Sequence, residues 1–173
     1  MTRLSIIVPV LNEQETVEKF YTAVSTIHKT HFPTIQVEYW FIDDGSLDQT
    51  LEVIEKLQAV DADVHYVSFS RNFGKEAALF AGLQKVGGDL VAIMDVDLQD
   101  PPELLPEMVS GVVRGEWDVI GARRISRDGE PLIRSFFSRL FYKLVNHISD
   151  NHIVEGARDF RVMNRQVMEA ILE

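Results

Sequence analysis

Five short apolar runs alternate with segments of helical character, and this alternation constrains the fold of the 173-residue chain more than any other feature. Short runs rich in branched residues are typical of strands buried on both faces. Strands separated by helices are joined by right-handed crossovers, which produce a mostly parallel sheet. We therefore predict an α/β fold with helices on both faces of the sheet. The predicted strands are Leu4–Val10, Val37–Ile42, Val64–Phe69, Leu90–Met94 and Asp118–Ala122.

Helices are predicted between these strands from capping residues and from apolar periodicity. Asn12 is a favourable N-cap with Glu15 three residues later, which predicts that the first helix begins there and runs to about Thr30. Near the C-terminus a short strand, Arg158–Met163, precedes a last helix that Asn164 is expected to cap. The other predicted helices run from about Leu47 to Gln58, from Glu76 to about Lys85 and from Pro102 to about Arg114.

Polar clusters follow each of the five apolar runs. Ligands of open parallel sheets bind beyond the carboxyl ends of the strands, so these clusters predict a site at one edge of the sheet. No Gly-x-Gly-x-x-Gly motif follows the first strand and the chain has no Walker loop, which argues against a dehydrogenase or a P-loop enzyme. The clusters are Asn12–Glu13, Asp43–Asp44, Arg71–Lys75, Asp95–Gln99 and Arg123–Arg127.

The segment Leu90–Glu103 carries the most informative of these clusters. If the chain remains extended after the strand, Asp95, Asp97 and Gln99 point to one side, because side chains alternate along a strand. Three oxygen donors without sulfur or imidazole suit Mg²⁺ or Mn²⁺. The alternative interpretation is a polar loop whose acidic residues cap the next helix.

Two interpretations are open for Asp44, for the pair Arg71 and Lys75, and for Asp159. Asp44 could accept hydrogen bonds from a ribose or a base, or could be a turn residue. Arg71 and Lys75 are suited to phosphate, yet either one alone could be a solvated charge. Asp159 could act as a general base or could pair with its arginine neighbours. Arg123 and Arg127, beside the predicted metal site, could neutralise a leaving diphosphate.

Charge and residue usage exclude several functions. A net charge of −10 argues against broad binding to nucleic acid. The chain has no cysteines, and its five histidines are scattered, so thiolate chemistry and a zinc site are not expected. It has no signal segment and no run of eighteen apolar residues, so we expect the chain itself to be soluble.

The segment 131–149 places apolar residues at helical spacing, with Arg134, Arg139 and Lys143 among them. One interpretation is an amphipathic helix that packs on the sheet. The other is a helix at a membrane surface, with its aromatic side toward the lipid and basic flanks.

Six motifs follow one another along nearly the whole chain: Ile7–Glu13, Asp43–Ser46, Ser70–Glu76, Asp95–Glu103, Gly121–Arg123 and Asp159–Met163. In this order they resemble glycosyltransferase family 2. The similarity is greatest to its polyprenyl-phosphate branch, the dolichol-phosphate mannose synthases and the bacterial undecaprenyl-phosphate (bactoprenol) glycosyltransferases. The Asp-x-Asp-Leu-Gln-Asp-Pro-Pro-Glu run is the most specific motif, whereas Arg158 stands where the family usually has a glycine.

The resemblance implies a single Rossmann-like nucleotide-sugar-binding domain of the GT-A type over residues 1–173, with inverting chemistry. Asp95, Asp97 and Gln99 would surround Mg²⁺ or Mn²⁺, and Asp97, Asp159 and Arg123 would be catalytic. The nucleotide sugar would contact Pro9, Asn12, Glu13, Asp44, Lys75 and Asp95. Donor or acceptor phosphates would contact Arg71, Arg123, Arg127 and Arg134.

The implied reaction moves a sugar from UDP-glucose or a similar donor to undecaprenyl phosphate at the cytoplasmic face of the cell membrane, for modification of cell-envelope glycans. Transmembrane helices are expected after residue 173 of the parent protein, and a homo-oligomer could form through that segment. A polyprenyl phosphate is already an anionic nucleophile, so the metal and arginine sites should matter more than Asp159 as a proton acceptor. The alternatives are a family 2 enzyme with a hydroxyl acceptor, on a polysaccharide or a protein, and a non-catalytic nucleotide-sugar-binding module.

Overall fold

The computed structural model of the chain describes residues 2–123 and 157–173. In these ranges six strands form one sheet, with the spatial order β3-β2-β1-β4-β6-β5. The strand β1 pairs in parallel with both β2 and β4, and β2 pairs in parallel with β3. The strand β6 runs antiparallel to β4. The strands are β1 (Arg3–Val10), β2 (Gln36–Asp43), β3 (Val64–Ser68), β4 (Leu90–Ile93), β5 (Val119–Arg123) and β6 (Ala157–Asn164).

Helices cover both faces of the sheet because β1 and β2 carry apolar residues on both sides. On one face the rings of Phe41 and Tyr39 contact those of Phe20 and Tyr21 in α1, at centroid distances of 6.2 and 5.2 Å. On the other face Ile42 shares a buried apolar cluster with residues of α3 and α5. The predicted α/β architecture is thus confirmed. The helices are α1 (Val17–His31), α2 (Thr50–Val60), α3 (Lys75–Lys85), α4 (Leu105–Val113) and α5 (Arg165–Leu172), with a 3₁₀ turn at Pro102–Leu104 before α4.

The chain divides into two compact units. The first comprises residues 1–121 and 159–173 and contains the apolar core and the candidate active site. The second comprises residues 122–158. The predicted helix 131–149, together with Arg127, Arg134 and the side chain of Arg123, lies outside the described residues. No helix in the described part of the chain combines the length and the apolar character needed to cross a bilayer.

Two predicted helix starts are wrong, and the cause is the same in both. The helix α1 begins at Val17 rather than after Asn12, and α2 begins at Thr50 rather than near Leu47. Asn12 adopts a left-handed conformation with φ 55°. Its side chain accepts a hydrogen bond from the backbone N–H of Leu47, at 2.8 Å, instead of capping its own helix. By contrast, the predicted cap at Asn164 is confirmed, because its side chain accepts from the backbone N–H of Val167 at 2.9 Å.

The predicted alternation of Asp95, Asp97 and Gln99 along an extended strand is also wrong. The strand β4 ends at Ile93, and the chain turns at Val96 and Asp97. Leu98 has φ 56°, a left-handed conformation that no extended strand contains. A turn, and not the pleat of a strand, therefore determines which of these side chains lie together.

At Gly45 the loop after β2 packs closely against the backbone of the loop after β3. It has φ +74°, and a Cβ atom there would lie 2.4 Å from the carbonyl carbon of Arg71. Gly115 has a similar φ of +69°, but a Cβ atom there would meet nothing within 4 Å. Substitutions at the two glycines therefore distinguish the free-energy cost of a left-handed backbone from that of a steric clash.

We predict that Gly115→Ala lowers the free energy of unfolding by about 1–2 kcal/mol, which is the usual cost of this backbone conformation. Gly45→Ala should cost about 2 kcal/mol more, because backbone atoms of the neighbouring loop must also move. Urea denaturation of both variants measures the difference. Equal losses in the two variants would show that the loops are not in close contact.

Candidate active site

A cavity of about 300 Å³ lies at the carboxyl ends of β1, β2 and β4. Its position agrees with the general location of ligand sites in parallel sheets. Asn72, Gly74 and Val96 also line it; they lie within the predicted clusters but had no predicted role. Ala78 lines it as well and lies outside every predicted cluster. The predicted site residues among those that line the cavity are Pro9, Glu13, Asp44, Lys75, Asp95 and Asp97.

The wall of the cavity is formed by two loops that bond to each other. The backbone N–H of Asn12 donates to Ser46 Oγ at 2.9 Å, and the N–H of Leu47 donates back to Asn12 Oδ1 at 2.8 Å. The N–H of Glu13 donates to Thr50 Oγ1 at 2.7 Å. Asn12 is not among the described residues that line the cavity. Asn12 instead joins the loops that form the wall, and its contact with a nucleotide stays a prediction.

The carboxylate of Asp44 fixes the loop after β3. One of its oxygens accepts from the N–H of Phe73 at 2.7 Å, and the other accepts from the N–H of Gly74 at 2.9 Å. Asp44 is buried, so these bonds replace the water that would otherwise solvate the carboxylate. Because α3 begins at the next residue, Asp44 also fixes the position of Lys75. Asp44 thus has a structural role, and it also lines the cavity.

Lys75 joins two carboxylates that come from distant parts of the chain. The antiparallel register pairs Ile93 of β4 with Arg161 of β6. Asp95 lies two residues after Ile93 and Asp159 lies two residues before Arg161, so the antiparallel register brings the two carboxylates to the same end of the strand pair. Like charges that face each other across strands repel. The Nζ atom of Lys75 lies 2.6 Å from Asp95 Oδ1 and 2.7 Å from Asp159 Oδ2. Its positive charge thus stabilises the approach of the two carboxylates.

The charges of this cluster shift the pKa values of its members. Partial desolvation acts to lower the pKa of Lys75, but the hydrogen bonds and charges of Asp159 and Asp95 outweigh it and the pKa is raised. The hydrogen bond from Lys75 lowers the pKa of Asp159 against partial desolvation, with help from the charge of Arg161. Arg161 lies 3.3 Å from Asp159 Oδ1. A carboxylate with a lowered pKa is a weak proton acceptor, so the geometry favours the ion-pair interpretation of Asp159 over the general base.

The residues present fit a divalent cation that would take some of its ligands from carboxylates and the others from a bound phosphate group. Asp95 and Asp97 line the same cavity, whereas Gln99 is not among the described residues that do. The backbone N–H of Gln99 donates to Asp97 Oδ1 at 3.1 Å. No three His, Cys, Asp or Glu side chains within residues 2–123 and 157–173 form a metal cage. Magnesium is commonly held by one or two carboxylates together with substrate phosphates, which matches this donor set.

The predicted arginines contribute differently. The guanidinium group of Arg71 lies over the ring of Phe73, 4.8 Å from its centroid. Arg71 is exposed and is not among the described residues lining the cavity, and its contact with a phosphate stays a prediction. The described lining contains four carboxylates, Glu13, Asp44, Asp95 and Asp97, and one cation, Lys75. An anionic ligand therefore needs additional positive charge to bind there.

We predict that Asp44→Asn lowers the free energy of unfolding by about 1–3 kcal/mol, because an amide N–H₂ would face one of the two backbone N–H donors. Urea denaturation measures the loss. The matched control is Glu52→Gln, which removes the same charge from an exposed position on α2. If the two variants are equally stable, Asp44 does not anchor the loop.

Known proteins resemble the chain in sequence over its whole length. Bactoprenol glucosyl transferase of Shigella phage SfV is 42% identical over 169 residues, which cover 98% of this chain and 54% of that protein. Putative glycosyltransferase CsbB of Bacillus subtilis (strain 168) is 41% identical over 172 residues, which cover 98% of this chain and 50% of that protein. The chain spans about half the length of the curated relatives it matches.

Solved structures resemble the chain in fold. Mannosyltransferase PcManGT from Pyrobaculum calidifontis, in complex with GDP-Man and Mn²⁺, has a TM-score of 0.67 at 20% identity, over 98% of this chain and 46% of that one. Glucosyl-3-phosphoglycerate synthase from Mycobacterium tuberculosis, in complex with Mn²⁺, UDP-glucose and phosphoglyceric acid, has a TM-score of 0.63 at 22% identity, over 96% of this chain and 58% of that one. These similarities confirm the predicted GT-A type of fold.

The family comparison agrees with the motifs and with the fold. The family model described as Glycosyl transferase family 2 matches residues 5–172, which is nearly the whole chain. Together with the relatives at about 41% identity, this match confirms the resemblance that the motifs indicated. The chain therefore belongs to glycosyl transferase family 2.

Proposed function

We propose that the chain is the catalytic part of a glycosyltransferase that moves glucose, or a similar sugar, from a nucleoside diphosphate donor to a polyprenyl phosphate. The acceptor would be undecaprenyl phosphate at the cytoplasmic face of the cell membrane, and the product would modify cell-envelope glycans. The observation that carries the proposal is the cavity at the strand ends, where Asp95 and Asp97 lie beside Lys75. The name of the relative from Shigella phage SfV supports the sugar and the acceptor.

The acidic lining of the cavity supports a metal-bound donor. A divalent cation, Mg²⁺ or Mn²⁺, would supply Lewis-acid stabilisation of the charge that develops on the leaving nucleoside diphosphate. Asp95 and Asp97 would hold the cation, and the loops around Asn12 and Asp44 would hold the nucleoside. Two structural neighbours contain Mn²⁺ together with a sugar nucleotide, which supports the same chemistry here.

The acceptor side requires little proton transfer. A phosphate monoester is anionic at neutral pH and can attack the sugar without a base. The ion pairs of Asp159 with Lys75 and Arg161 suit this reaction, because they keep the carboxylate ionised and occupied. The proposal assigns the remaining acceptor contacts to Arg123, Arg127 and Arg134. It also assigns contact with the membrane surface to the amphipathic segment 131–149.

We predict that Asp97→Ala lowers transfer from UDP-glucose to undecaprenyl phosphate by at least about a hundredfold, because the cation loses a ligand. Asp159→Asn should lose less than about a hundredfold, since removal of a true general base costs roughly that much or more. Transfer of radiolabelled glucose into the lipid fraction measures both rates.

The control for this experiment is the circular dichroism spectrum of each variant, which must match that of the unchanged chain. Complete loss of transfer in folded Asp159→Asn would contradict the ranking of the metal site above Asp159. Transfer to a hydroxyl acceptor but not to undecaprenyl phosphate would replace the proposed acceptor class.

The identity of the donor can be measured through stability. We predict that UDP-glucose with Mn²⁺ stabilises the chain more than GDP- or dTDP-sugars do. A donor at a hundred times its dissociation constant adds about 2.7 kcal/mol, or roughly 5–10 °C in Tm for a chain of this size. A thermal-shift series with each sugar nucleotide compares them. If no sugar nucleotide raises Tm in the presence of Mn²⁺, the chain does not use this donor class.

A further inference from the structure

Lys75 is the one cation among the described residues that line the cavity, and it is bonded to Asp95, one of the two carboxylates suited to a metal. An ammonium group 2.6 Å from Asp95 Oδ1 occupies a position from which a divalent cation would coordinate the same oxygen. Two cations so close together repel each other. The divalent cation and the ammonium group therefore compete for Asp95.

The side chain of Lys75 can change its partner without any change in the backbone. Asp44 fixes the two residues before it, and α3 continues after it. The four-carbon stem of a lysine is flexible, and its ammonium group binds as a point charge in many directions. The side chains of Lys75 and Asp95 are 39% and 31% exposed, so the ion pair is open to water and to ions. Pairs with this exposure are weak and exchange readily.

We infer that Lys75 is an exchangeable counter-ion of the candidate metal site. Its ammonium group pairs with Asp95 in the free protein, yields that carboxylate to the divalent cation, and then binds the diphosphate of the donor while it keeps its contact with Asp159. This inference rests on the proposed function, since it assumes a metal at Asp95 and Asp97.

The charges around the cavity require such an exchange. Asp95 and Asp159 face each other across the end of β4 and β6, so at least one cation must lie between or beside them. A divalent cation on Asp95 performs that role in the loaded site, which releases the charge of Lys75 for the phosphate oxygens. Asp159, whose Oδ2 lies 2.7 Å from the ammonium group in this structure, would keep its bond to the displaced group. Lys75 is on this account a positioning residue before the metal binds and a donor-binding residue afterwards.

The test is to measure Mn²⁺ and UDP binding by isothermal titration calorimetry for the unchanged chain and for Lys75→Met. With Mn²⁺ alone, Lys75→Met should bind roughly threefold to tenfold more tightly, because the competing cation is gone. With saturating Mn²⁺, UDP should bind Lys75→Met roughly tenfold more weakly, because the diphosphate loses a charged partner. Opposite changes in the two affinities would not arise from a general loss of structure.

Lys85→Met is the matched control, because it removes the same charge from an exposed position at the other end of α3 and should change neither affinity. Lys75→Arg keeps the positive charge and should bind Mn²⁺ like the unchanged chain. Lys75→Gln provides a second neutral variant and should behave like Lys75→Met. Unfolding by urea establishes that each variant is folded before its titration.

Three outcomes would contradict the inference, and they differ in what else they remove. In the first, the unchanged chain binds Mn²⁺ at a site that Asp97→Ala abolishes, but both neutral variants bind Mn²⁺ equally or more weakly. This result overturns the exchange and leaves the proposed function in place. Unchanged UDP affinity in the neutral variants overturns the donor contact of Lys75. Absence of Asp97-dependent Mn²⁺ binding in every protein overturns the metal site itself, and with it the exchange.

Discussion

Two carboxylates from distant parts of the chain, Asp95 and Asp159, meet where β4 ends and β6 begins. The geometry of the site depends on the cation between them. The register of the two strands brings the carboxylates together, and Lys75 bonds to both. Lys75 is held in place by a chain of dependencies: β2 ends at Asp43, Asp44 bonds the loop before α3, and α3 begins at Lys75. The candidate site is thus a product of strand order, of loop anchoring and of one ammonium group.

The parallel pairing of β1 with its two neighbours gives the site its location. Three loops leave the sheet at the same edge, and their side chains bond to the backbone of the adjacent loop instead of to water. Such bonds restrict the loops before any ligand arrives, which reduces the ordering that binding requires. The acidic character of the lining follows from the same loops. In a protein with a net charge of −10, such a lining would repel an anionic ligand unless a cation shared the site.

The sheet and most of its helices could be predicted from the sequence, because apolar runs and helical periodicity are local signals that the tertiary structure did not override. The loops could not. Asn12 has the chemistry of an N-cap, but its side-chain oxygen bonds Leu47, 35 positions away, and no local pattern distinguishes these partners. The predicted alignment of Asp97 and Gln99 failed because Leu98 turns the chain with a left-handed conformation. The contact of Lys75 with Asp159 spans 84 positions. It depends on the antiparallel pairing of β6 with β4, which residue types alone do not reveal.

The antiparallel β6 has a consequence for how such a protein can diversify. Every described residue that lines the cavity lies before residue 98, whereas Asp159 reaches the site from the far side of residues 122–158. The described residues that line the cavity and Asp159 are therefore encoded in separate stretches of the gene. The intervening segment can change in length or composition while the strand register still returns the same carboxylate to Lys75. If that segment supplies the acceptor contacts, as proposed, a family built on this plan could exchange acceptors and retain one framework at the carboxyl ends of β1, β2 and β4.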